Sequence, residues 1–202
     1  MLYIVGAIVA ARRKCLCGGG EPYMSEMKFI VELLSGADFI ADIRKKLDTL
    51  IGIIPEIRDM IGFCHCHPHH HLDVWEHTLL ALSYSENRLE TRLALLLHDV
   101  GKPHSYQCEG ELRHYRGHAE KSAEIAKSAL LRVGFDAQLV ETVAYIIKNH
   151  DTPLTERDII ERSDYARALF AVQRCDAAAH NPAYNQKRMA YIANINELMK
   201  NK

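Results

Sequence analysis

The chain has 202 residues, of which 48% are hydrophobic and 25% charged, and its formal net charge is −1. This length and composition allow one sizeable core and exclude the class of disordered, highly charged chains, so we expect one main domain. The near-neutral charge excludes the overall basic excess that drives non-specific binding to phosphate backbones. Six cysteines lack the density of a secreted disulfide scaffold, which favours a reduced, cytoplasmic setting.

The first 23 residues differ from the rest of the chain. Residues 1–11 are apolar, but they are fewer than the roughly 20 that a membrane span needs. A basic triplet at 12–14 follows this stretch, whereas in a signal peptide the basic residues precede it. The codons of a Gly-Gly-Glu run shortly before Met24 can act as a ribosome-binding sequence. We therefore expect residues 1–23 to be a non-native or disordered extension and residues 24–202 to form a single domain.

Apolar residues recur at helical spacing from Met27 onward. They form stripes at 29–34, at 40–51 and, on either side of Pro55, at 53–61. Further helices are predicted at 74–84, 89–97, 118–132, 137–149, 156–162, 165–180 and 186–199. No internal repeat or low-complexity linker divides the chain. This pattern is typical of an all-α bundle.

Local signals mark helix ends and one short β-hairpin. Four residues are expected to cap helices: Asp73, Asn87 and Asp136 at N-termini, and Gly134 at a C-terminus. Residues 105–108 and 111–115 have a strand-like composition on either side of a predicted Glu-Gly turn at 109–110. The sequence therefore predicts a helical bundle with one small β excursion.

Residues of metal-ligand type occur where the helical pattern faces inward or ends. They are His77, His98, Asp99, His118, His150 and Asp176. An adjacent imidazole and carboxylate at the end of an apolar run are costly to desolvate, and a divalent cation would compensate that cost. A lone histidine on an apolar face is more often a core residue than a ligand, but several together favour a metal centre.

Four segments between about residues 60 and 185 resemble the HD superfamily of metal-dependent phosphohydrolases. The segments are 73–79 (DVWEHTL), 98–103 (HDVGKP), 115–122 (YRGHAEKS) and 174–181 (RCDAAAHN). Together they are most similar to the HD domain attached to bacterial CCA-adding tRNA nucleotidyltransferases. No Gly-Gly-Ser-like loop with a following Asp-x-Asp pair precedes them, so the resemblance carries over the hydrolytic site and not CCA polymerisation.

The resemblance implies a centre of one or two ions. One ion would be held by His77, His98, Asp99 and Asp176, and Asp99 would bridge to a second ion held by His118 and His150. Nitrogen and carboxylate ligands suit Mn, Fe, Co, Ni or Zn better than Ca. The alternative for His118 and His150 is that they support the site or satisfy helix ends.

Three further residues are candidates for substrate contacts. Lys102 follows Asp99 by three residues and would stabilise phosphate charge, or it is a solvated lysine in a turn. Arg116, beside His118, is a weaker phosphate candidate. His70 aligns with a family histidine and would face the substrate pocket. It lies in a histidine-rich tract at 64–71, whose Cys-x-Cys without a second spaced pair is a weak zinc signal.

Three functions remain open at the level of sequence. The favoured one is a phosphomonoesterase or phosphodiesterase that acts on a nucleotide or other small phosphate ester through a metal-activated water. The second is a phosphatase or cyclic phosphodiesterase directed at RNA ends or tRNA, which a local basic rim would favour. The third is a non-enzymatic metal or nucleotide sensor. No membrane partner is expected, and the substrate and the oligomeric state stay open.

Overall fold

The computed structural model describes residues 21–161 and 163–200, and α-helices make up most of this part of the chain. The helices are α1 (Glu21–Ser35), α2 (Phe39–Lys45), α3 (Leu47–Ile53), α4 (Val74–Ser83), α5 (Leu89–Leu97), α6 (His118–Val133), α7 (Ala137–Asn149), α8 (Glu156–Glu161), α9 (Ser163–Ala179) and α10 (Gln186–Lys200). Short 3-10 turns lie at Pro55–Met60, Lys102–His104 and Pro182–Tyr184. The predicted all-α bundle is confirmed. Two of the segments near the start of the chain differ from the prediction. The helix expected at 40–51 breaks at Lys46, and the apolar segment after Pro55 forms a 3-10 turn.

Most of the predicted helix caps are present. Asp73 accepts a hydrogen bond from the backbone N–H of Glu76 at 2.8 Å, and Asp136 accepts from the backbone N–H groups of Gln138 and Leu139. Gly134 ends α6 in the left-handed region at φ 94°. The prediction for Asn87 is wrong, because Arg88 occupies the N-cap position of α5 in an extended conformation and makes no side-chain cap bond.

The predicted hairpin is also present, with its turn shifted by one residue. Strand β1 (Gln107–Glu109) pairs antiparallel with β2 (Leu112–His114), and Glu109 lies opposite Leu112. The two turn residues are therefore 110 and 111 rather than 109 and 110. Gly110 has a positive φ of 62°, which two-residue hairpin turns require and glycine adopts without strain.

Helix α5 lies at the centre of the core. The side chains of residues 93–97 are all fully buried, and α5 packs against α1, α4, α7 and α9. A helix surrounded in this way is apolar on every side, which explains its run of leucines. Because α5 is central, the residues that follow it, His98 and Asp99, enter the interior of the domain and are also buried.

Two expectations concern the N-terminal segment and membranes. Among the described residues, no helix combines the length and the apolar character needed to cross a bilayer. The expectation for residues 1–23 falls mainly on residues 1–20, which lie outside the described part of the chain, so it stays a prediction. The single domain at 24–202 is a prediction as well.

Gly101 lets the turn after α5 approach α6 closely. Its backbone N–H donates to Ser122 Oγ at 2.8 Å. A Cβ at this position would lie 2.6 Å from the backbone N of Ser122 and 2.7 Å from the carbonyl oxygen of His118. Since these are backbone atoms of a helix, they cannot move aside cheaply. The absence of a side chain at Gly101 therefore brings His98 and Asp99 close to the start of α6.

We expect Gly101→Ala to lower the free energy of unfolding by about 1–3 kcal/mol, as overpacking of a well-packed site does. Gly52→Ala is the matched control, because Gly52 lies in α3 with no atom within 4 Å of the added Cβ. That change should leave stability equal or raise it by up to about 1 kcal/mol through helix propensity. Urea unfolding measures both variants. A Gly101→Ala variant as stable as the parent chain would contradict the close approach.

Candidate metal centre

The structure brings all six predicted ligands together in the interior. They come from the N-terminal half of the domain and from its later helices: His77 in α4, His98 and Asp99 after α5, His118 at the start of α6, His150 at the end of α7, and Asp176 in α9. All six are buried. Helix ends and inward faces therefore converge in the interior of the bundle.

The first cluster is formed by His77, His98, Asp99 and Asp176. His77 Nε2 lies 2.9 Å from Asp176 Oδ1 and 3.7 Å from Asp99 Oδ2. His98 Nε2 lies 3.2 Å from Asp99 Oδ2 and 3.6 Å from Asp176 Oδ1. Each of the two imidazole nitrogens thus lies within 4 Å of both carboxylates, and His77, His98 and Asp99 are close enough to share one ion.

The second cluster uses the other oxygen of Asp99. Asp99 Oδ1 lies 3.5 Å from His118 Nε2 and 3.9 Å from His150 Nε2. Asp151 Oδ2 faces the same pair, 3.3 Å from His118 Nε2 and 3.7 Å from His150 Nε2. Asp99 therefore directs Oδ2 to the first cluster and Oδ1 to the second, which is the geometry that a bridging carboxylate needs. The ligand roles themselves stay predictions.

Each histidine of the two clusters has its Nδ1 engaged by the backbone. The Nδ1 atoms of His77, His98, His118 and His150 donate to the carbonyl oxygens of Ala179, Leu95, Tyr115 and Ile147, at 3.3, 2.7, 2.8 and 2.6 Å. A carbonyl oxygen only accepts, so Nδ1 carries a proton and a neutral ring presents its Nε2 lone pair to the centre. His118 Nε2 and His150 Nε2 lie 3.3 Å apart, and with both rings neutral neither has a proton to donate to the other.

The buried charges also favour a cation. Burial raises the pKa of the Asp99 carboxyl, but the charges of His98 and Lys102 outweigh it and hold that pKa well below its usual range. Burial lowers the pKa of His98, but the carboxylates of Asp99 and Asp176 outweigh it and raise that pKa to about 10. A bound divalent ion would replace this proton.

Some buried polar atoms of the centre have no hydrogen-bond partner among the described residues. They include His98 Nε2 and Asp99 Oδ1, both of which face the clusters. Leaving such atoms unsatisfied costs about 1–3 kcal/mol each, and more for charged groups. A divalent cation in the first cluster would satisfy His98 Nε2 and one in the second cluster would satisfy Asp99 Oδ1, so the residues present fit metal ions.

Lys102 lies against the centre rather than in solvent. Its Nζ is 2.8 Å from Asp99 Oδ2 and 3.1 Å from His65 Nε2, and the residue is 4% exposed. This burial excludes the alternative of a solvated lysine in a turn. His65, in the histidine-rich tract, donates from Nδ1 to the carbonyl oxygen of Leu72 at 2.9 Å and so accepts from Lys102.

The other two substrate candidates line the cleft above the centre. The ring of His70 stacks on that of His65, with centroids 3.8 Å apart, and its Nδ1 is buried without a hydrogen-bond partner in the described part of the chain. Burial and the charge of Lys102 lower the pKa of His70, so this ring is neutral. Arg116 is exposed at the rim. The contacts of both with a substrate stay predictions.

Three residues of the site were not assigned a role from the sequence. His180 lies one helical turn after Asp176, a spacing that could have identified it. Arg188, in α10, contacts Asp176, Asp151 and His180 and belongs to no recognised segment. His65 was hidden within the histidine-rich tract, where several neighbouring histidines have the same local pattern.

The centre opens into a cleft of about 710 Å³. Besides the residues of the clusters, four basic side chains, one acidic side chain and two tyrosines line it: Arg113, Arg116, Lys148, Lys187, Glu120, Tyr115 and Tyr184. The cleft is thus locally basic in a chain whose net charge is −1. This is the rim that anionic substrates would meet first.

A helical bundle with buried histidine and aspartate clusters beneath a basic cleft defines a class of domain able to hold divalent metal ions. The chain belongs to the HD domain family, since the family model described as HD domain matches residues 69–178, more than half of its length. HD domains form a superfamily of metal-dependent phosphohydrolases. The resemblance identified from the sequence motifs is therefore confirmed.

Two relatives are tRNA nucleotidyltransferases. The CC-adding tRNA nucleotidyltransferase of Thermus thermophilus is 37% identical over 144 residues, which are 64% of this chain and 33% of that protein. The A-adding tRNA nucleotidyltransferase of Deinococcus radiodurans is 30% identical over 154 residues, which are 69% of this chain and 35% of that protein. The chain spans about a third of the length of the curated relatives that it matches.

We expect Asp99→Asn to weaken binding at both clusters, because this residue offers one oxygen to each. Metal affinity should fall by more than the roughly 10- to 100-fold that is usual when a ligand loses the group to which it is hydrogen-bonded. His77→Gln should weaken the first cluster and His150→Gln the second. Calorimetric titration with Mn²⁺ measures affinity and stoichiometry, and Asp48→Asn, an exposed aspartate of α3, is the control. Unchanged Mn²⁺ binding by Asp99→Asn would rule out a centre built on this carboxylate.

Proposed function

We propose that this chain is a metal-dependent phosphohydrolase, a phosphomonoesterase or phosphodiesterase acting on a nucleotide or other small phosphate ester. The observation that carries the proposal is the two-sided placement of Asp99, between two histidine clusters and at the base of a basic cleft. Membership of the HD domain family supports it. A centre that binds ions at the base of an anion-attracting cleft suits hydrolysis of phosphate esters.

The ligand set favours one or two ions of Mn, Fe, Co, Ni or Zn, held by His77, His98, Asp99 and Asp176 and by Asp99, His118 and His150. When bound, such ions lower the pKa of water and neutralise phosphate charge. Four of the histidines are held in the tautomer that this binding needs by their bonds to backbone carbonyls. The chain itself thus supplies a preorganised set of donors.

Lys102 is the proposed residue for stabilising charge on the reacting phosphate. An ammonium has three donors, and Asp99 and His65 account for two of them. The remaining N–H is available to a phosphate oxygen at the base of the cleft, which Lys102 lines. Because Asp99 and His65 fix the ammonium, its charge needs little reorganisation as negative charge develops. Arg116 and His70 would contact more distant parts of the substrate.

A second candidate function is a phosphatase or cyclic phosphodiesterase directed at RNA ends or tRNA. The basic lining favours it, since the cleft holds four cations besides Lys102 and Arg188, at 113, 116, 148 and 187, more than a single phosphate requires. Tyr115 and Tyr184 offer rings on which bases stack in single-stranded RNA. The names of the two relatives, both tRNA nucleotidyltransferases, also support an RNA partner.

We expect hydrolysis of p-nitrophenyl phosphate, bis-p-nitrophenyl phosphate or a nucleotide panel that depends on Mn²⁺, Co²⁺ or Ni²⁺ and stops with a chelator. Asp99→Ala should reduce turnover to background. Lys102→Met should lower kcat on the order of 10²- to 10³-fold, the usual effect of removing one charge-stabilising donor. Lys200→Met, at the far end of α10, is the control. A chain that binds metal tightly but hydrolyses no phosphate ester in these metals would instead be a sensor.

The RNA alternative has its own test in the salt dependence of binding. For the chain bound to tRNA, we expect the double change Arg116→Ala and Lys148→Ala to reduce the slope of log Kd against log salt by about 1 for each phosphate that is no longer neutralised. The matched control is Lys28→Ala with Lys45→Ala, which removes two exposed cations of α1 and α2. Failure of the parent chain to shift tRNA at low salt, measured by gel mobility, would exclude this substrate.

A further inference from the structure

Arg188 connects the two clusters from outside the region that defines the family. It lies near the start of α10, whereas the family model ends at residue 178. Its Nη1 donates to Asp176 Oδ2 at 2.5 Å and its Nη2 donates to Asp151 Oδ1 at 2.7 Å. One planar guanidinium thus holds one oxygen of each of two carboxylates.

The remaining oxygens of these carboxylates face different clusters. Asp176 Oδ1 lies 2.9 Å from His77 Nε2 in the first cluster. Asp151 Oδ2 lies 3.3 Å from His118 Nε2 in the second. In both carboxylates, therefore, one oxygen accepts a hydrogen bond from the guanidinium and the other is directed at a histidine nitrogen. Asp151 is thus the fourth side chain at the second cluster, after Asp99, His118 and His150.

His180 supports the guanidinium rather than a metal ion. It could form a further ligand group with His77 and Asp176, but both of its ring nitrogens are engaged. Its Nδ1 donates to the backbone carbonyl oxygen of Asp176 at 2.8 Å, and its Nε2 accepts from Arg188 Nη1 at 3.2 Å. The orientation of this ring therefore helps to fix the plane of the guanidinium.

We propose that Arg188 is a positioning residue of the metal centre: it fixes Asp176 and Asp151 so that each offers one oxygen, Asp176 to the first ion and Asp151 to the second. This inference rests on the proposed metal centre. If only the positive charge of Arg188 mattered, its effect would be the opposite, because a positive charge this close to the centre repels a metal ion and weakens its binding. The fork geometry of arginine matters here, since a lysine ammonium is a point charge that cannot hold two carboxylates in one plane.

The test compares Arg188→Met and Arg188→Lys in the full chain by calorimetric titration with Mn²⁺. We expect both variants to lose affinity by about 10- to 100-fold, the usual effect of removing a group that orients a ligand. If charge were the whole role, Arg188→Met would bind Mn²⁺ more tightly and Arg188→Lys would match the parent chain. Either of those results overturns the proposal.

Spectroscopy of the Co²⁺-loaded chain separates positioning from a general effect on stability. We expect the visible absorption bands of Co²⁺ to change in folded Arg188→Lys, because the ligand geometry changes. Folded variants with parental Co²⁺ bands and parental affinity would show that Arg188 does not position the ligands. Asp151→Asn tests the same contact from the other side and should weaken Mn²⁺ binding at the second cluster without affecting the first.

Two controls keep the result interpretable. Arg132→Met removes an arginine–carboxylate pair elsewhere, with Glu56, and should leave Mn²⁺ affinity unchanged. Far-UV circular dichroism tests folding, and if Arg188→Met is unfolded, the result for Arg188→Lys decides. A parent chain that binds no Mn²⁺ contradicts the metal centre and hence the proposed function. Parental binding in folded Arg188 variants contradicts only the role of Arg188.

Discussion

Asp99 is a carboxylate buried directly after the central apolar helix α5, where the C-terminal end of the helix dipole adds to its negative charge. Such a group is stable only if positive charge surrounds it. Lys102 supplies part of that charge from the next turn, and His98 supplies another part when protonated. The remaining groups around it are imidazole nitrogens, which suit a metal ion. The later helices therefore bring to this carboxylate several of the groups that surround it, among them His118 and His150.

The same kind of hydrogen bond orients three of the candidate ligand histidines at helix ends. His98 and His150 each follow the last residue of a helix and donate from Nδ1 to the carbonyl three residues earlier. His118 does the same at the start of α6. The last carbonyls of a helix lack partners within the helix, so the rings of His98 and His150 each satisfy one of them while the other nitrogen turns inward. At His118 the acceptor is the carbonyl of Tyr115, in the turn before α6. Capping and ligand orientation are thus achieved by one hydrogen bond.

Much of this site could be predicted from the sequence because its candidate ligands occur in short, spaced motifs. Helical periodicity placed His77 and Asp176 on inward faces, and the turn after α5 identified His98 and Asp99. The Asn87 cap and the hairpin turn were each displaced by one residue, because local preference does not decide between neighbouring positions. Arg188 and His65 could not be assigned, since their roles depend on partners 12 to 37 residues away in sequence. Only the packing of helices reveals such contacts.

The position of Arg188 shows that the residues in contact with the centre extend beyond the segment that the family model matches. The matched segment ends at residue 178, whereas the guanidinium that holds Asp151 and Asp176 lies ten residues further on. A fragment that ends at residue 178, or the matched segment transferred to another scaffold, would retain every histidine and aspartate of the two clusters. It would still lack the guanidinium that contacts both Asp151 and Asp176. The last helix therefore contributes a direct contact to the buried carboxylates, although nothing in its own composition distinguishes it from an ordinary amphipathic helix.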